Sequence, residues 1–159
     1  MDLAALNALP ADAARAELTR CCGAARWVEG MVKSRPYADK AALHRSAEEQ
    51  WRALGREDIL EAFAHHPRIG ASAAAGWAKG EQAGVSGAAQ ETLQAIADGN
   101  REYERRFGHI YLVCATGKAA PELLAILERR LKNEPDAELA EAAAEQAKIT
   151  ALRLEKLLS

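Results

Sequence analysis

Along most of the chain, apolar residues recur at intervals of three and four, the spacing of a helix that buries one face. Pro10 and Asp12 precede a helical start at 13–18, and the spacing continues through Trp27, Val28 and Met31 until Ser34-Arg35-Pro36 interrupts it. Asp39 is placed to cap a further helix through Leu43, Ala47, Trp51 and Leu54, with Gly55 as its stop. A short helix follows over 56–64, with Ile59, Leu60 and Phe63 on one side. Pro67 disfavours helical geometry at His66, so this imidazole is expected where the helix ends. Four glycines, Gly70, Gly76, Gly80 and Gly84, make 69–84 read as a loop, and a loop that long is more often functional than idle. Ser86 begins the next long helix, which carries Leu93 and Ile96 and a polar run over 100–106 before Phe107 and a stop at Gly108. Only 110–115, Ile-Tyr-Leu-Val-Cys-Ala, has strand character, and with no second strand its backbone groups need other partners. Two amphipathic helices close the chain, one through Leu123, Leu124, Leu127 and Leu131, the other from about Pro135 through Leu139, Ile149, Leu152 and Leu157. The alanine-rich 137–147 belongs to the latter as a high-propensity stretch. The expected fold is all-α: a single compact multi-helix domain over 1–159 with one short extended segment.

Composition supports this class. The chain is 49% hydrophobic but only 5% aromatic, so its core is built from aliphatic residues and alanine, which suits packed helices. Its 159 residues are enough for one substantial core. Lys and Arg number 21 against 23 Asp and Glu, a net charge of -2, so no basic field favours nucleic acid or an anionic membrane. Cys21, Cys22 and Cys114 are odd in number, and the first two are adjacent, poor geometry for a disulfide. Reduced thiols and a cytoplasmic location are expected. Neither a basic leader followed by an apolar stretch nor a membrane-length apolar run is present.

The chemistry concentrates in His65-His66-Pro67-Arg68-Ile69-Gly70 and, fifteen residues after His66, Glu81-Gln82. A histidine at a helix C-terminus near a carboxylate has two reasons to favour its protonated form, and so to donate as well as accept a proton. The plain alternative is that His66 caps its helix and Glu81 is solvated. Arg153 lies four residues from both Ile149 and Leu157, so a cation follows an apolar face, where it needs either a ligand or an ion pair. Trp27 and Trp51 fall on apolar helical faces and are expected in the core, whereas Trp77, in the glycine-rich loop, is placed to cover a site. Cys114 sits in an apolar segment, where thiols are inert. His44 and His109 are remote from the adjacent pair, and there is no HExxH, CxxC, phosphate loop, GxGxxG or GxSxG. Neither a metal nor an organic cofactor is expected.

Five segments taken together resemble one family: HPRIG at 66–70, GEQAGV at 80–85, N-x-x-Y-x-x-R-F-G at 100–108, the following CATG, and KITALRLEKL at 148–157. In that order they are similar to the 2-oxo-4-hydroxy-4-carboxy-5-ureidoimidazoline (OHCU) decarboxylases of urate breakdown, over nearly the whole chain. The resemblance implies an all-helical fold, a homodimer, no cofactor, and conversion of OHCU to (S)-allantoin and carbon dioxide. It makes His66 the catalytic imidazole, with Glu81 orienting it. Pro67, Ala78, Lys79, Gly80, Glu81 and Gln82 would line the substrate, and Tyr111, Leu112, Val113, Cys114 and Ala115 would offer backbone contacts. Arg153 would reach in from the last helix. Many relatives have Ser where this chain has Ala78, so one hydroxyl contact is missing.

The implied reaction suits these side chains. The carbon that loses carbon dioxide bears a hydroxyl and adjoins a ring C=N, so the substrate is its own electron sink, and an imidazolium can protonate the enol-like product on one face. Gln82 and Arg153 would take its amide-like and anionic edges. Two other readings compete: a helical interaction module with an exposed apolar stripe, and a related lyase or isomerase acting on another ureido or imidazole compound.

Overall fold

The computed structural model describes residues 1–70, 76–85 and 87–159, and among these no strand occurs. The helices are α1 Leu3–Ala8, α2 Ala11–Thr19, α3 Ala25–Lys33, α4 Lys40–Arg52, α5 Arg56–Ala64, α6 Trp77–Glu81, α7 Gln90–Phe107, α8 Ala120–Arg130 and α9 Pro135–Leu157. The all-α expectation holds. Internal contacts group the chain into two compact units, Met1–His65 with Ala147–Ser159, and His66–Gln146, and α9 contributes residues to both.

In the first unit α3 packs against α2 and α4, with Leu18, Trp27, Met31 and Leu43 wholly buried. Asp39 caps α4 as expected, its carboxylate accepting from Ala42 N at 2.7 Å. Asp2 does the same for α1, accepting from Ala5 N at 2.8 Å, a helix too short to show as periodicity in the sequence. Gly55 is not the stop of α4. That helix ends at Arg52 with Ala53 as its cap, and Gly55, extended at φ -88°, opens α5 instead. Trp27 donates its indole N–H to Ala47 O at 3.1 Å in the core. Trp51 is only half-buried and lines a cavity of about 230 Å³ with His44, Glu48 and Lys148, so it is not a core residue.

The second unit has its own apolar cluster, which includes Ile69, Ile96, Tyr103, Tyr111, Val113, Leu123 and Leu127, with α7 packed against α8. The glycine-rich stretch is not a loop throughout, since α6 and a 3₁₀ turn, Ala83–Val85, occupy its second half. Residues 71–75 of that stretch lie outside the described residues, as does Ser86, the expected helix start. The helix itself opens at Gln90 after Ala89 and stops at Gly108, left-handed at φ 79°. Residues 110–115 form neither helix nor strand, with 111–115 buried and Ile110 half-buried, and no strand partner occurs among the described residues.

Candidate functional site

His65 caps the end of α5, and His66 is the next residue, followed by Pro67, as the sequence indicated. The His66 ring is half-buried. Its Nε2 lies 2.6 Å from Oε1 of Gln146, a wholly buried side chain on α9. A carbonyl oxygen can only accept, so the imidazole nitrogen donates in this bond.

Three contacts hold the turn after His66. Arg68 makes a forked pair with Glu104, Nε at 3.0 Å and Nη2 at 2.7 Å. Asn100 Nδ2 donates to Ile69 O at 3.0 Å, inside the protein. Gln82 Oε1 accepts from Gly70 N at 2.9 Å, while its Nε2 donates more weakly to Arg68 O at 3.4 Å. The HPRIG and GEQ segments are thus tied together by Gln82, and the asparagine of the N-x-x-Y motif holds the same turn from α7. Gly84 completes the arrangement: a Cβ there would overlap the carbonyl of Lys118, so only glycine permits this approach. Lys118 in turn donates Nζ to Cys114 O at 2.8 Å.

The extended segment finds the partners that a sheet would otherwise provide. Leu112 O accepts from Arg130 Nη1 at 2.7 Å, and Cys114 N donates to Glu145 Oε1 at 3.1 Å. Arg130 and Glu138 are both wholly buried. Glu138 Oε1 takes Arg130 Nε at 2.6 Å and the Tyr103 hydroxyl at 2.7 Å, and its Oε2 takes Asn133 Nδ2 at 2.9 Å. Burial would lower the Arg130 pKa, but the bond and charge of Glu138 outweigh it and keep the guanidinium charged. Burial pushes the Tyr111 hydroxyl well above its ordinary range, and it donates to Leu123 O at 2.9 Å as a core group. Thus Tyr111, Leu112, Val113, Cys114 and Ala115 present a pinned backbone, with every side chain buried.

Glu81 is buried at the end of α6, as is Ala78 one turn earlier, whereas Lys79 and Gly80 are exposed. Trp77, half-buried, is the first residue of that helix. The second unit therefore contains His66, Pro67, the 78–82 segment and 111–115, with Gln82 joining the 78–82 segment to the turn after His66. Arg153 belongs to the first unit, where its Nη1 donates to Arg20 O at 3.2 Å, at the negative end of α2. Among the described residues, no three His, Cys, Asp or Glu side chains gather as a metal site. Sequence reasoning missed Glu138, Glu145 and Gln146. The first two are seven apart and so share a helix face, a signal hidden by the alanines around them.

The sequence model of the OHCU decarboxylase family matches residues 7–155. The chain belongs to the OHCU decarboxylase family. Members of that family are carboxy-lyases of urate degradation. The chain is 35% identical over 147 residues to the Arabidopsis thaliana uric acid degradation bifunctional protein TTL, covering 87% of this chain but 45% of that protein, so it spans about half the relative's length. A crystal structure of OHCU decarboxylase in the presence of (S)-allantoin matches with a TM-score of 0.81 and 35% identity, over 89% of this chain and 96% of that one. A crystal structure of (S)-allantoin synthase shares the fold, with a TM-score of 0.77 at 16% identity over 99% of this chain and 54% of the other. The family match runs across both compact units.

Proposed function

We propose that this chain decarboxylates OHCU to (S)-allantoin and carbon dioxide, as a single OHCU decarboxylase-like domain over 1–159, with no metal or organic cofactor. The observation that carries this reading is the fixed imidazole of His66. It sits within the family-matched span, half accessible, one nitrogen bonded to a buried amide, beside a turn clamped by Arg68, Asn100 and Gln82.

In the proposed reaction His66 takes the proton of the substrate hydroxyl. The bond to the carboxylate then breaks, its electron pair moves toward the neighbouring C=N carbon, and the imine nitrogen takes a proton from water. Carbon dioxide leaves, and an enolate remains. The imidazolium returns its proton to carbon on one face, which gives a single enantiomer. Glu81 supplies the carboxylate that orients the imidazole and favours its charged form. Gln82 turns its amide toward the substrate by giving up the 3.4 Å bond to Arg68 O, the weaker of its two. Pro67, Ala78, Lys79 and Gly80 line the substrate, and the pinned 111–115 backbone contacts it. The resemblance alone supports Arg153 as the residue for the substrate's anionic edge.

A homodimer in the cytoplasm acting in purine breakdown completes the proposal. No helix among the described residues is long and apolar enough to cross a membrane. The interaction-module reading needs an apolar stripe on a helix. Among the described residues the exposed large hydrophobics are Met1 and Leu152, and only Leu152 is helical. Replacing His66 with Asn tests the mechanism: turnover should fall at least about 100-fold, as for other acid-base residues, with the helical circular dichroism unchanged. A folded His66→Asn protein of near-normal activity would rule it out.

A further inference from the structure

We propose that Gln146 is a positioning residue that sets the tautomer of His66, keeping hydrogen on Nε2 and leaving Nδ1 as the nitrogen that exchanges protons with substrate. The inference rests on the reading of His66 as the proton-transfer group, and it adds to the carboxylate of Glu81 a second orienting contact, from a residue that no sequence motif singled out.

The geometry is restrictive. Gln146 is wholly buried on α9, so its amide has a fixed backbone and little room to swing. The preceding residue, Glu145, is tied to Cys114 N at 3.1 Å, which fixes the helix against the extended segment at that level. At 2.6 Å the Gln146 oxygen accepts from Nε2, so the neutral ring has its lone pair on Nδ1. Pro67 keeps His66 out of helical geometry, so the ring is held from two sides, by its backbone and by its Nε2 bond. An amide has a further property that a carboxylate lacks. It orients the ring without adding a second negative charge to that of Glu81, so the imidazole can still accept the hydroxyl proton. In His-based sites the partner of the second nitrogen commonly carries a large share of the rate.

The test uses the full chain labelled with nitrogen-15 and long-range proton–nitrogen spectra of the imidazoles, alongside turnover of OHCU. The wild type should show His66 with hydrogen on Nε2 in its neutral form. Gln146→Met, close in volume, should give mixed tautomers and a kcat lower by about 10- to 100-fold with the Michaelis constant within about threefold. Gln146→Glu retains an oxygen acceptor and should keep hydrogen on Nε2. A wild-type ring protonated on Nδ1, or a Gln146→Met ring with unchanged tautomer, overturns the assignment. If the Met variant does not fold, the wild-type and Gln146→Glu spectra still decide. His66→Ala separates the two levels. An inactive His66→Ala beside a fully active Gln146→Met with altered tautomer overturns the positioning role alone, whereas an active His66→Ala overturns the underlying reading.

Discussion

Replacing Glu138 with Leu should remove the charge that makes the buried Arg130 tolerable. Both side chains are inaccessible to solvent. The second carboxylate near Arg130 is Glu141, 3.5 Å from Nε, about a third exposed and already bonded to Arg129 at 2.5 Å. It offers partial compensation. Breaking one partner of a buried ion pair costs about 3 to 5 kcal/mol, because the other charge stays desolvated. The Tyr103 hydroxyl loses its acceptor as well, at about 1 kcal/mol. A total of about 4 to 6 kcal/mol is a large part of the roughly 5 to 15 kcal/mol that holds a domain folded. With a urea slope of about 2 kcal/mol per molar, the unfolding midpoint followed by far-ultraviolet circular dichroism should fall by about 2 to 3 M. The double variant Arg130→Met with Glu138→Leu removes both charges and should recover most of this loss. It should stay about 1 to 2 kcal/mol below wild type, since Leu112 O and the Tyr103 hydroxyl then have no partner. A cost below about 1 kcal/mol for Glu138→Leu, or a double variant no more stable than the single one, would mean that Glu138 is not what makes the buried Arg130 tolerable.

Three further outcomes follow from other parts of the molecule. Burial pushes the Cys21 thiol up to about 12 and the Cys22 thiol to about 11, so neither should react quickly with a disulfide reagent at pH 8 before unfolding; rapid labelling of either in the folded protein would contradict this. The hydrogen bond from Arg129 holds the Glu141 carboxyl below its ordinary 4.5, so the folded protein binds this proton less readily than the unfolded chain. Its contribution is therefore present above about pH 4.5 and lost as pH falls through the folded value, and Glu141→Gln should lose less stability than wild type between pH 7 and acid, measured by urea midpoints. Arg153→Lys should raise the Michaelis constant for OHCU more than it lowers the melting temperature, because a guanidinium fork is not reproduced by an ammonium; unchanged kinetics would remove Arg153 from the proposed substrate contacts.

Long helices and the position of His66 were legible in the sequence because periodicity and Pro67 are local signals. Asp39 and α5 were read correctly for the same reason. Gly55 misled, since a glycine with negative φ serves equally as the end of one helix or the start of the next. The one-turn helix α6 lacks the length to display a period, and its flanking glycines masked it. The residues around His66 divide in the same way. His66 and the GEQ segment stand out by type and spacing, whereas Gln146, eighty residues away, looks like any polar position on an alanine-rich helix. The same holds for Glu145 and Glu138. Only the packing of α9 shows that Glu145 bonds the lone extended segment directly and that Glu138 holds Arg130, which bonds it in turn.

Adding the purified protein to freshly generated OHCU and following optical activity by circular dichroism tests the proposed decarboxylation itself. Dextrorotatory (S)-allantoin should appear rapidly, unaffected by a metal chelator, and no circular-dichroism signal of allantoin should build up when His66→Asn replaces the wild type, because the spontaneous product is racemic. Racemic allantoin at the uncatalysed rate from the folded wild-type protein would contradict it.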